Sequence, residues 1–169
     1  MIGGFATGIN QSAAGSNLIV NNCEFRDNYS GVLTLTFSNT NTTVLIENSR
    51  FEYQRVDGVD VEQGAINVSI RNSVLTNNHY GVYVYTNSQS QPVLIVIDTC
   101  TIVHHSEGTH AETGAAGSAT MRVTNSTIDN NVNGMVLNGA GAAIESYSNN
   151  RVTANTNNST FSGTVLPKQ

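Results

Sequence analysis

Apolar and polar residues recur along the chain at fixed distances from asparagine and glycine. In residues 72–84 an Asn, an apolar residue, a second Asn and a Gly stand at offsets zero, three, six and nine, and an alternating Val-Tyr-Val segment follows. The unit is repeated, with substitutions, at six starts separated by 24 to 27 residues: Asn22, Asn48, Asn72, Thr99, Asn125 and Asn149. The copy at Asn48 carries one additional residue before its Gly. Self-similarity at this period is typical of solenoid proteins.

Each unit predicts three short strands. In the best-preserved copy the first strand buries Val68 and Ile70, the second buries Leu75, and the third, after the Gly, buries Val82 and Val84. Alternation of period two indicates strands with one buried face. We therefore predict an all-β, single-stranded parallel β-helix of about six coils of 24–27 residues, with three short strands per coil.

The whole chain, residues 1–169, is predicted to form a single domain. We assign residues 18–145 to regular coils, residues 146–169 to a terminal coil and tail, and residues 1–17 to an incomplete first coil or cap. In that first part, four residues are aligned with Gly31 to Thr34: Gly4, Phe5, Ala6 and Thr7. A bare end coil exposes strand edges. We therefore expect a piece of a longer protein, a homo-oligomer formed through the N-terminal coil, or a cap of unfamiliar sequence.

The repeat Asn and the cysteines mark a corner of the coil. Asn tolerates the left-handed backbone conformation of a tight corner, and stacked Asn amides can bond to one another, which predicts an asparagine ladder at the repeat start. Cys23 and Cys100 follow that start directly, where other copies carry Ser. Three coils of about 4.8 Å separate the two cysteines by about 14 Å, beyond disulfide reach. Two free thiols are expected.

Composition narrows the classes of partner. The chain is 38% hydrophobic and only 11% charged, its net charge is −5, and Lys168 is the single lysine. An acidic chain without a basic patch is not expected to bind nucleic acid. No apolar run reaches the roughly 20 residues of a membrane span, so membrane insertion is not expected. Met1 to Ala6 lack the features of a signal peptide, and the residues assign no compartment.

The outward positions of the strand after the Gly carry the candidate chemistry. Successive coils stack five pairs there: Leu33 and Leu35, Asp60 and Glu62, Tyr83 and Tyr85, His110 and Glu112, and Val136 and Asn138. Tyrosines can stack on sugar rings, and carboxylates or imidazoles can bind hydroxyls or act as acid and base. We predict that six of these residues bind a ligand: Asp60, Glu62, Tyr83, Tyr85, His110 and Glu112.

Carboxyl spacing along this face bears on catalysis. Asp60 and Glu62 should lie about 7 Å apart, and Glu62 and Glu112 nearer 10 Å. Glycoside hydrolysis requires paired carboxyl groups about 5 to 9.5 Å apart. The first pair meets that requirement and the second is marginal. Because outward strand positions are polar in any case, a merely solvated face is the competing interpretation.

The chain resembles the pectate-lyase-like right-handed parallel β-helix family. The resemblance covers roughly residues 18–160 and is carried by the Ile-x-Asn-Ser-x-Leu-x-x-Asn-x-x-Gly-Val-x-Val form of residues 70–84. It implies a right-handed helix, a polysaccharide lying along the strand after the Gly, and an extracellular or cell-surface location. The last coil, around Asn149 and Arg151, looks like the ends of bacterial surface β-helix repeat proteins.

The resemblance also implies which catalytic residues to look for. A lyase of the pectate type needs Ca²⁺ and an arginine base, and the nearest candidate is Arg55. For this residue an ion pair with Asp57 or with an acid of a neighbouring coil is the simpler role. The Asn-Thr-Asp, Asp-Asp and Gly-His-Gly strings of the related hydrolases are missing. A Zn²⁺ site of His105, His110 and Glu112 has no recognised ligand spacing. We expect no metal and no cofactor, with Ca²⁺ as the alternative.

Three functions follow from these patterns. The first is a non-catalytic β-helix module that binds glycan or protein, as part of a larger surface or secreted protein. The second is a polysaccharide lyase or glycoside hydrolase whose catalytic residues come from five candidates: Asp60, Glu62, His110, Glu112 and Arg55. The third is a self-assembling structural unit.

Overall fold

The computed structural model describes residues 1–88, 91–147, 149–163, 165 and 167. This part of the chain contains 19 strands and no helix. In chain order the strands are β1 (Ile2–Gly3), β2 (Thr7–Gln11), β3 (Asn17–Asn21), β4 (Glu24–Arg26), β5 (Ser30–Leu35), β6 (Thr42–Glu47), β7 (Arg50–Glu52), β8 (Asp57–Glu62), β9 (Ile66–Arg71), β10 (Val74–Thr76), β11 (Tyr80–Thr86), β12 (Val93–Asp98), β13 (Thr101–Val103), β14 (Glu107–Thr113), β15 (Ala119–Thr124), β16 (Thr127–Asp129), β17 (Asn133–Asn138), β18 (Ala142–Ser146) and β19 (Arg151–Thr153).

Every third strand joins the same sheet, so that three parallel sheets enclose one core. Sheet A has the order β1-β4-β7-β10-β13-β16-β19, sheet B the order β2-β5-β8-β11-β14-β17, and sheet C the order β3-β6-β9-β12-β15-β18. Each strand pairs in parallel with the equivalent strand of the next coil. The predicted all-β solenoid of about six coils with three strands per coil is confirmed.

The core consists of columns of apolar side chains, one residue from each coil. On sheet A the column begins with the partly buried Ile2. It continues through Phe25 and Phe51, whose rings stack with centroids 4.6 Å apart, and then through Leu75, Ile102 and Ile128, and these five residues are fully buried. Each such side chain stabilises the fold by about 1.5 to 3 kcal/mol. The columns therefore hold neighbouring coils in register.

The alternation that buries Val82 and Val84 on β11 also predicts a buried Leu137 on β17, and this prediction is wrong. Leu137 lies opposite Ala111 in the register of sheet B, on the inner side of the strand, but 40% of its surface is exposed. The reason is that β17 is the last strand of sheet B and no further strand covers it. Its neighbour Met135, at the start of the same strand, is buried.

Left-handed backbone marks two corners in every coil. The six repeat starts, Asn22 to Asn149, have φ between 47° and 58°, as expected for the corner between sheets C and A. A second set of left-handed residues follows five positions later, between sheets A and B, with φ between 52° and 63°: Asp27, Tyr53, Asn77, His104, Asn130 and Ala154. Asn and Asp adopt this conformation more readily than most residues.

The asparagine ladder forms, but six residues after the predicted position. At the repeat start the amides are exposed, as in the bond from Asn48 Nδ2 to Asn21 Oδ1. The buried ladder runs through Asn28, Gln54, Asn78, His105, Asn131 and Asn155. In each coil the backbone N–H at this position donates to the side chain of the following coil, over 2.8 to 3.1 Å. The ladder therefore satisfies donors that no sheet reaches.

The first coil is shifted by four residues relative to the predicted alignment. Thr7 pairs with Ser30 and Ile9 with Val32, so Gly8, not Gly4, corresponds to Gly31. A Cβ on Gly8 would lie 2.6 Å from the carbonyl oxygen of Gly31, which explains why glycine is required there. β1 already pairs with β4, so residues 2–21 supply a strand to each of the three sheets.

Both cysteines are free, as predicted. Cys100 is 2% exposed, and its N–H donates to Ser126 Oγ at 3.0 Å. The N–H of Cys23 makes the same bond to Ser49 Oγ at 3.2 Å. Burial raises the pKa of the Cys100 thiol to about 11. The thiol is therefore protonated and unreactive at neutral pH.

Ladder position 105 is unusual because it holds a titratable group. His105 is 2% exposed; its Nδ1 accepts the N–H of Asn78 at 3.1 Å, and its Nε2–H donates to the carbonyl oxygen of Leu75 at 2.9 Å. The neutral imidazole satisfies both contacts. Burial lowers the pKa of His105 to about 4, because the charged form would lose its hydration without gaining an acidic partner.

Removing a ladder side chain should cost substantial stability. In Asn131→Ala the buried N–H of His105 and the carbonyl oxygen of Ile102 lose their bonding partner. We expect a loss of about 2 to 4 kcal/mol in the free energy of unfolding, measured by urea denaturation. Asn39→Ala, in the exposed loop between β5 and β6, is the control and should change it by less than about 0.5 kcal/mol. Equal losses would contradict a structural role for the ladder.

Replacing His105 should make the fold less sensitive to acid. In the unfolded state His105 binds a proton near pH 6.5, and in the folded state only near pH 4. The contribution of neutral His105 to stability is therefore fully present above about pH 6.5 and is lost as the pH falls to about 4. His105→Asn, the residue of neighbouring coils, should remove about 3 kcal/mol of that acid-dependent loss, measured by urea titrations at several pH values. Asn39→Ala, the exposed-loop control used for Asn131, should leave the pH dependence as in the wild type.

Candidate functional site

The outer face of sheet B carries nine polar or aromatic residues in three rows. Strand pairing aligns Asp57, Tyr80 and Glu107 in the first row, Asp60, Tyr83 and His110 in the second, and Glu62, Tyr85 and Glu112 in the third. We call these nine residues the carboxylate–tyrosine face. All the tyrosines come from β11, while the acidic groups come from β8 and β14 on either side. Any molecule lying on the tyrosines would therefore have carboxyl groups at both edges.

The sequence prediction includes two of these rows and misses the third. The residues predicted to share a patch, Asp60 to Glu112, do occupy adjacent register positions. Strict alternation would turn Gly58 outward, but a Cβ there would meet Leu75 and Asn78, so this glycine faces the core. The residue before the glycine then takes the outward place. In the three central strands that residue is Asp57, Tyr80 and Glu107. The position directly before the repeat Gly is the sequence signal from which this row could have been predicted.

Aromatic rings form the centre of the face. The ring centroids of Tyr80 and Tyr83 are 5.2 Å apart, and those of Tyr83 and His110 are 5.3 Å apart in an edge-to-face arrangement. The hydroxyl of Tyr83 donates to Glu112 Oε2 at 3.1 Å. Burial and the negative charge of Glu112 raise the pKa of Tyr83. The ring is therefore held in place as a neutral hydrogen-bond donor.

His110 lies between two glutamates. Its Nδ1 is 2.6 Å from Glu107 Oε2 and its Nε2 is 3.7 Å from Glu112 Oε2, distances of close ion pairs without the alignment of full hydrogen bonds. Both contacts are attractive when the imidazole is protonated. Only 8% of the His110 surface is exposed, so the contacts are partly shielded from solvent.

The acidic groups of β8 are buried to an unusual degree for outward residues. Asp57 is 4% exposed and accepts a hydrogen bond from Ser30 Oγ at 2.8 Å; Asp60 is 8% exposed, and its Oδ1 is buried with no hydrogen-bond partner among the described residues. Burial raises the pKa of Asp57 to about 6. Burial and the nearby carboxyl groups of Asp57 and Glu62 raise the pKa of Asp60 to about 8. At neutral pH Asp57 is mostly ionised and Asp60 is mostly protonated.

Glu62 and the flanking residues complete the face. Burial also raises the pKa of Glu62, which lies in register with Tyr85. Leu33, Leu35 and Val136, at the same register positions in outer coils, are half-buried. β11 is followed by residues 87–92, of which Gln89 and Ser90 fall outside the described residues, and β14 is followed by residues 114–118.

Two other candidates lie apart from this face or make different contacts. Arg55 is exposed at the corner before β8 and makes no ion pair within the described part of the chain, so the expected pair with Asp57 or with an acid of a neighbouring coil is wrong. Asp57 bonds to Ser30 instead. His105 points into the ladder, away from His110, so the three-residue Zn²⁺ site considered above is also wrong.

The residues do not fit the Ca²⁺ that the family resemblance implies. Over the described ranges, no three His, Cys, Asp or Glu side chains are grouped so as to hold a metal ion. The acidic groups of β8 and β14 are instead separated by the tyrosines of β11.

The described ranges also hold no helix long and apolar enough to cross a membrane.

Comparison with known protein families agrees with this architecture. A family model described as the right-handed beta helix region matches residues 3–94, more than half of the chain. The chain belongs to this right-handed beta-helix family. The matched part includes β8 and β11, and β14 lies beyond it. No curated protein and no solved structure matched the chain. Membership of the beta-helix family determines the fold and leaves the chemistry to be argued from the face itself.

Substitution of Asp60 should stabilise the protein at alkaline pH. The raised pKa means that the folded state holds this proton more tightly than the unfolded state, so the contribution of protonated Asp60 to stability is fully present below about pH 4 and is lost as the pH rises through about 8. Asp60→Asn removes the ionisation and should raise stability by about 1 to 3 kcal/mol at pH 9. At pH 4 the variant should resemble the wild type. Thermal unfolding followed by circular dichroism measures both.

The matched control is Asp27→Asn. Asp27 is an exposed corner residue at φ 56°, where two other coils carry Asn77 and Asn130, so the amide fits its backbone. Its substitution removes a surface carboxylate that lies 3.5 Å from Arg26 and should not raise the melting temperature at pH 9 as Asp60→Asn does. If Asp60→Asn gave the same shift at pH 4 and pH 9, Asp60 would be ionised in the folded protein and its buried, protonated state would be wrong.

Proposed function

We propose that this beta-helix protein is a non-catalytic glycan-binding module whose ligand lies on the carboxylate–tyrosine face. The observation that carries the proposal is the alignment of three tyrosines on β11 between acidic side chains on β8 and β14. The tyrosines supply flat apolar surfaces for sugar rings. The neighbouring carboxyl groups supply acceptors for sugar hydroxyls.

The energies of such contacts suit a saccharide. A hydrogen bond to a charged group contributes about 1.5 to 3 kcal/mol, and aromatic contacts add about 0.5 to 1.5 kcal/mol each. Tyr83 and Tyr85 are half-buried, so little side-chain entropy remains to be lost when a ligand binds. The hydrogen bond of Tyr83 to Glu112 holds the central ring in one orientation. The face is therefore preorganised for a rigid, flat ligand.

A polysaccharide lyase or glycoside hydrolase is the second candidate. It is favoured by the different protonation of two neighbouring acids, since at neutral pH Asp60 retains its proton while Asp57 is mostly ionised. A general acid beside a general base is the arrangement that glycoside hydrolysis uses. Against it, the face is the open outer surface of a sheet, where solvent is not excluded from a bound substrate.

A glycan-array screen of the wild type and a Tyr83→Ala, Tyr85→Ala double variant tests the binding function. We expect the wild type to bind one class of glycan and the double variant to lose at least about tenfold in affinity, because both stacking surfaces are removed. Tyr29→Ala is the control: this tyrosine is 53% exposed at the corner before β5, and its loss should not change binding.

The same screen distinguishes the alternatives. Each glycan that binds is incubated with the protein and assayed for new reducing ends and unsaturated products. Product that disappears in Asp60→Asn or Glu112→Gln would make the protein an enzyme. Absence of binding to every glycan would contradict both functions. Light scattering over a range of protein concentrations would then test for a self-assembling structural unit.

A further inference from the structure

We propose that the carboxylate–tyrosine face selects a glycan bearing protonated primary amines, such as a glucosamine oligomer. This inference rests on the glycan-binding function proposed above and specifies the class of ligand. Three independent features of the molecule lead to it: the distribution of charge, the uncompensated carboxyl oxygen of Asp60, and the aromatic rings between the two acidic strands.

The charge distribution separates this face from the rest of the surface. Five of the 12 acidic residues lie on it: Asp57, Asp60, Glu62, Glu107 and Glu112. Its only basic side chain is His110, which is already in contact with two glutamates. Five of the six arginines form ion pairs outside this face: Arg26, Arg50, Arg71, Arg122 and Arg151. The sixth, Arg55, is exposed at the corner before β8.

A polyanionic glycan therefore suits this face poorly. The carboxylates of a uronic acid polymer would lie against the acidic strands on both sides of the tyrosines, and like charges at an interface cost several kcal/mol. No metal-binding group of three side chains is present in the described ranges to bridge them. A cationic ligand would instead be attracted at both edges of the face.

Asp60 indicates where a cation would be bound. Its side chain lies in the middle row, beside Tyr83, with only 8% of the residue exposed and with Oδ1 lacking any hydrogen-bond partner among the described residues. A buried polar atom without a partner is costly, and an ammonium group supplies both a donor and a compensating charge. Binding would ionise Asp60, whose pKa of about 8 keeps it protonated in the free protein at neutral pH.

The aromatic rings add a second attraction. Tyr80, Tyr83 and His110 form a group with centroids 5.2 to 5.5 Å apart, which borders the acidic strand β8. An ammonium group near the face of a tyrosine ring gains about 0.5 to 2 kcal/mol. An aminated sugar can use both interactions at once, with its ring on a tyrosine and its amine at a carboxylate.

Three hexamers of different charge test this inference: glucosamine, N-acetylglucosamine and galacturonic acid. Titration calorimetry with the full chain at about pH 5.5, where the amines of a glucosamine oligomer are mostly protonated, should give at least about tenfold tighter binding of the glucosamine hexamer than of its N-acetylated counterpart. The galacturonic acid hexamer should not bind, with or without added Ca²⁺. Asp60→Asn should weaken binding of the glucosamine hexamer by at least about fivefold.

Proton release supplies a readout that general charge attraction does not. Titrations at about pH 5.5, where the amine is already protonated before binding, in two buffers of different ionisation enthalpy should show a proton released on binding, and Asp60→Asn should abolish most of it. Other groups around Asp60 also titrate or carry charge: Asp57, Glu62, His79, Tyr80, Tyr83, Tyr85, Glu107, His110 and Glu112. Glu112→Gln is therefore measured in parallel, to separate the loss of a neighbouring charge from the ionisation of Asp60. That variant should lose affinity but retain the proton release.

Glu24→Gln is the matched control, since it removes one negative charge from sheet A, remote from this face. It should leave the affinity for the glucosamine hexamer within about twofold of the wild type. An equal loss in Glu24→Gln and Asp60→Asn would reduce the binding to non-specific attraction and overturn the inference. Equal affinity for the glucosamine hexamer and its N-acetylated counterpart would show that no amine is required. This inference would then be wrong, although the glycan-binding function would remain. If none of the three hexamers and no glycan on the array bound, both proposals would be wrong.

Discussion

The register between coils depends on the buried ladder that runs from Asn28 to Asn155. Corner residues turn their backbone N–H groups along the solenoid axis, where no strand can accept them, and each is instead bonded to the side chain of the next coil. A slip by one residue would leave these donors unpaired and would also turn the core columns outward. Because the penalty repeats in every coil, the coils stack in one alignment, and the outward rows of sheet B follow from it.

The carboxylate–tyrosine face uses positions that the fold itself leaves free. The inner side chains of β8 and β11, such as Val61 and Val84, are fully buried and supply the packing energy. Their outward neighbours could be any polar residue without loss of the solenoid. Burying Asp57 and Asp60 on this side raises both pKa values, which lowers stability at neutral and alkaline pH. Such a cost is typical of binding and catalytic sites.

Periodicity was sufficient to predict the solenoid, the three strands per coil and two of the three rows of the face. It failed where a residue departs from simple alternation. Gly58 faces the core although alternation turns it outward, and this hid the row that contains Asp57. In the first coil the corner lies four residues later than the Gly4 alignment assumed, because the close approach to Gly31 requires Gly8. The burial of Asp60 depends on neighbours from other coils and has no local signal.

Charge, rather than shape, is what distinguishes candidate ligands on this kind of surface. The outer face of a parallel sheet offers nearly the same groove in every coil, so the side chains at a few register positions must supply specificity. Here the strands on both sides of the tyrosines are acidic, and the arginines on sheets A and C are paired with carboxylates there. A neutral glycan would leave Asp60 Oδ1 without a partner unless a hydroxyl reached it, whereas an amine satisfies the bond and the charge together. The uncompensated oxygen is therefore the strongest reason to prefer a cationic ligand over a neutral one.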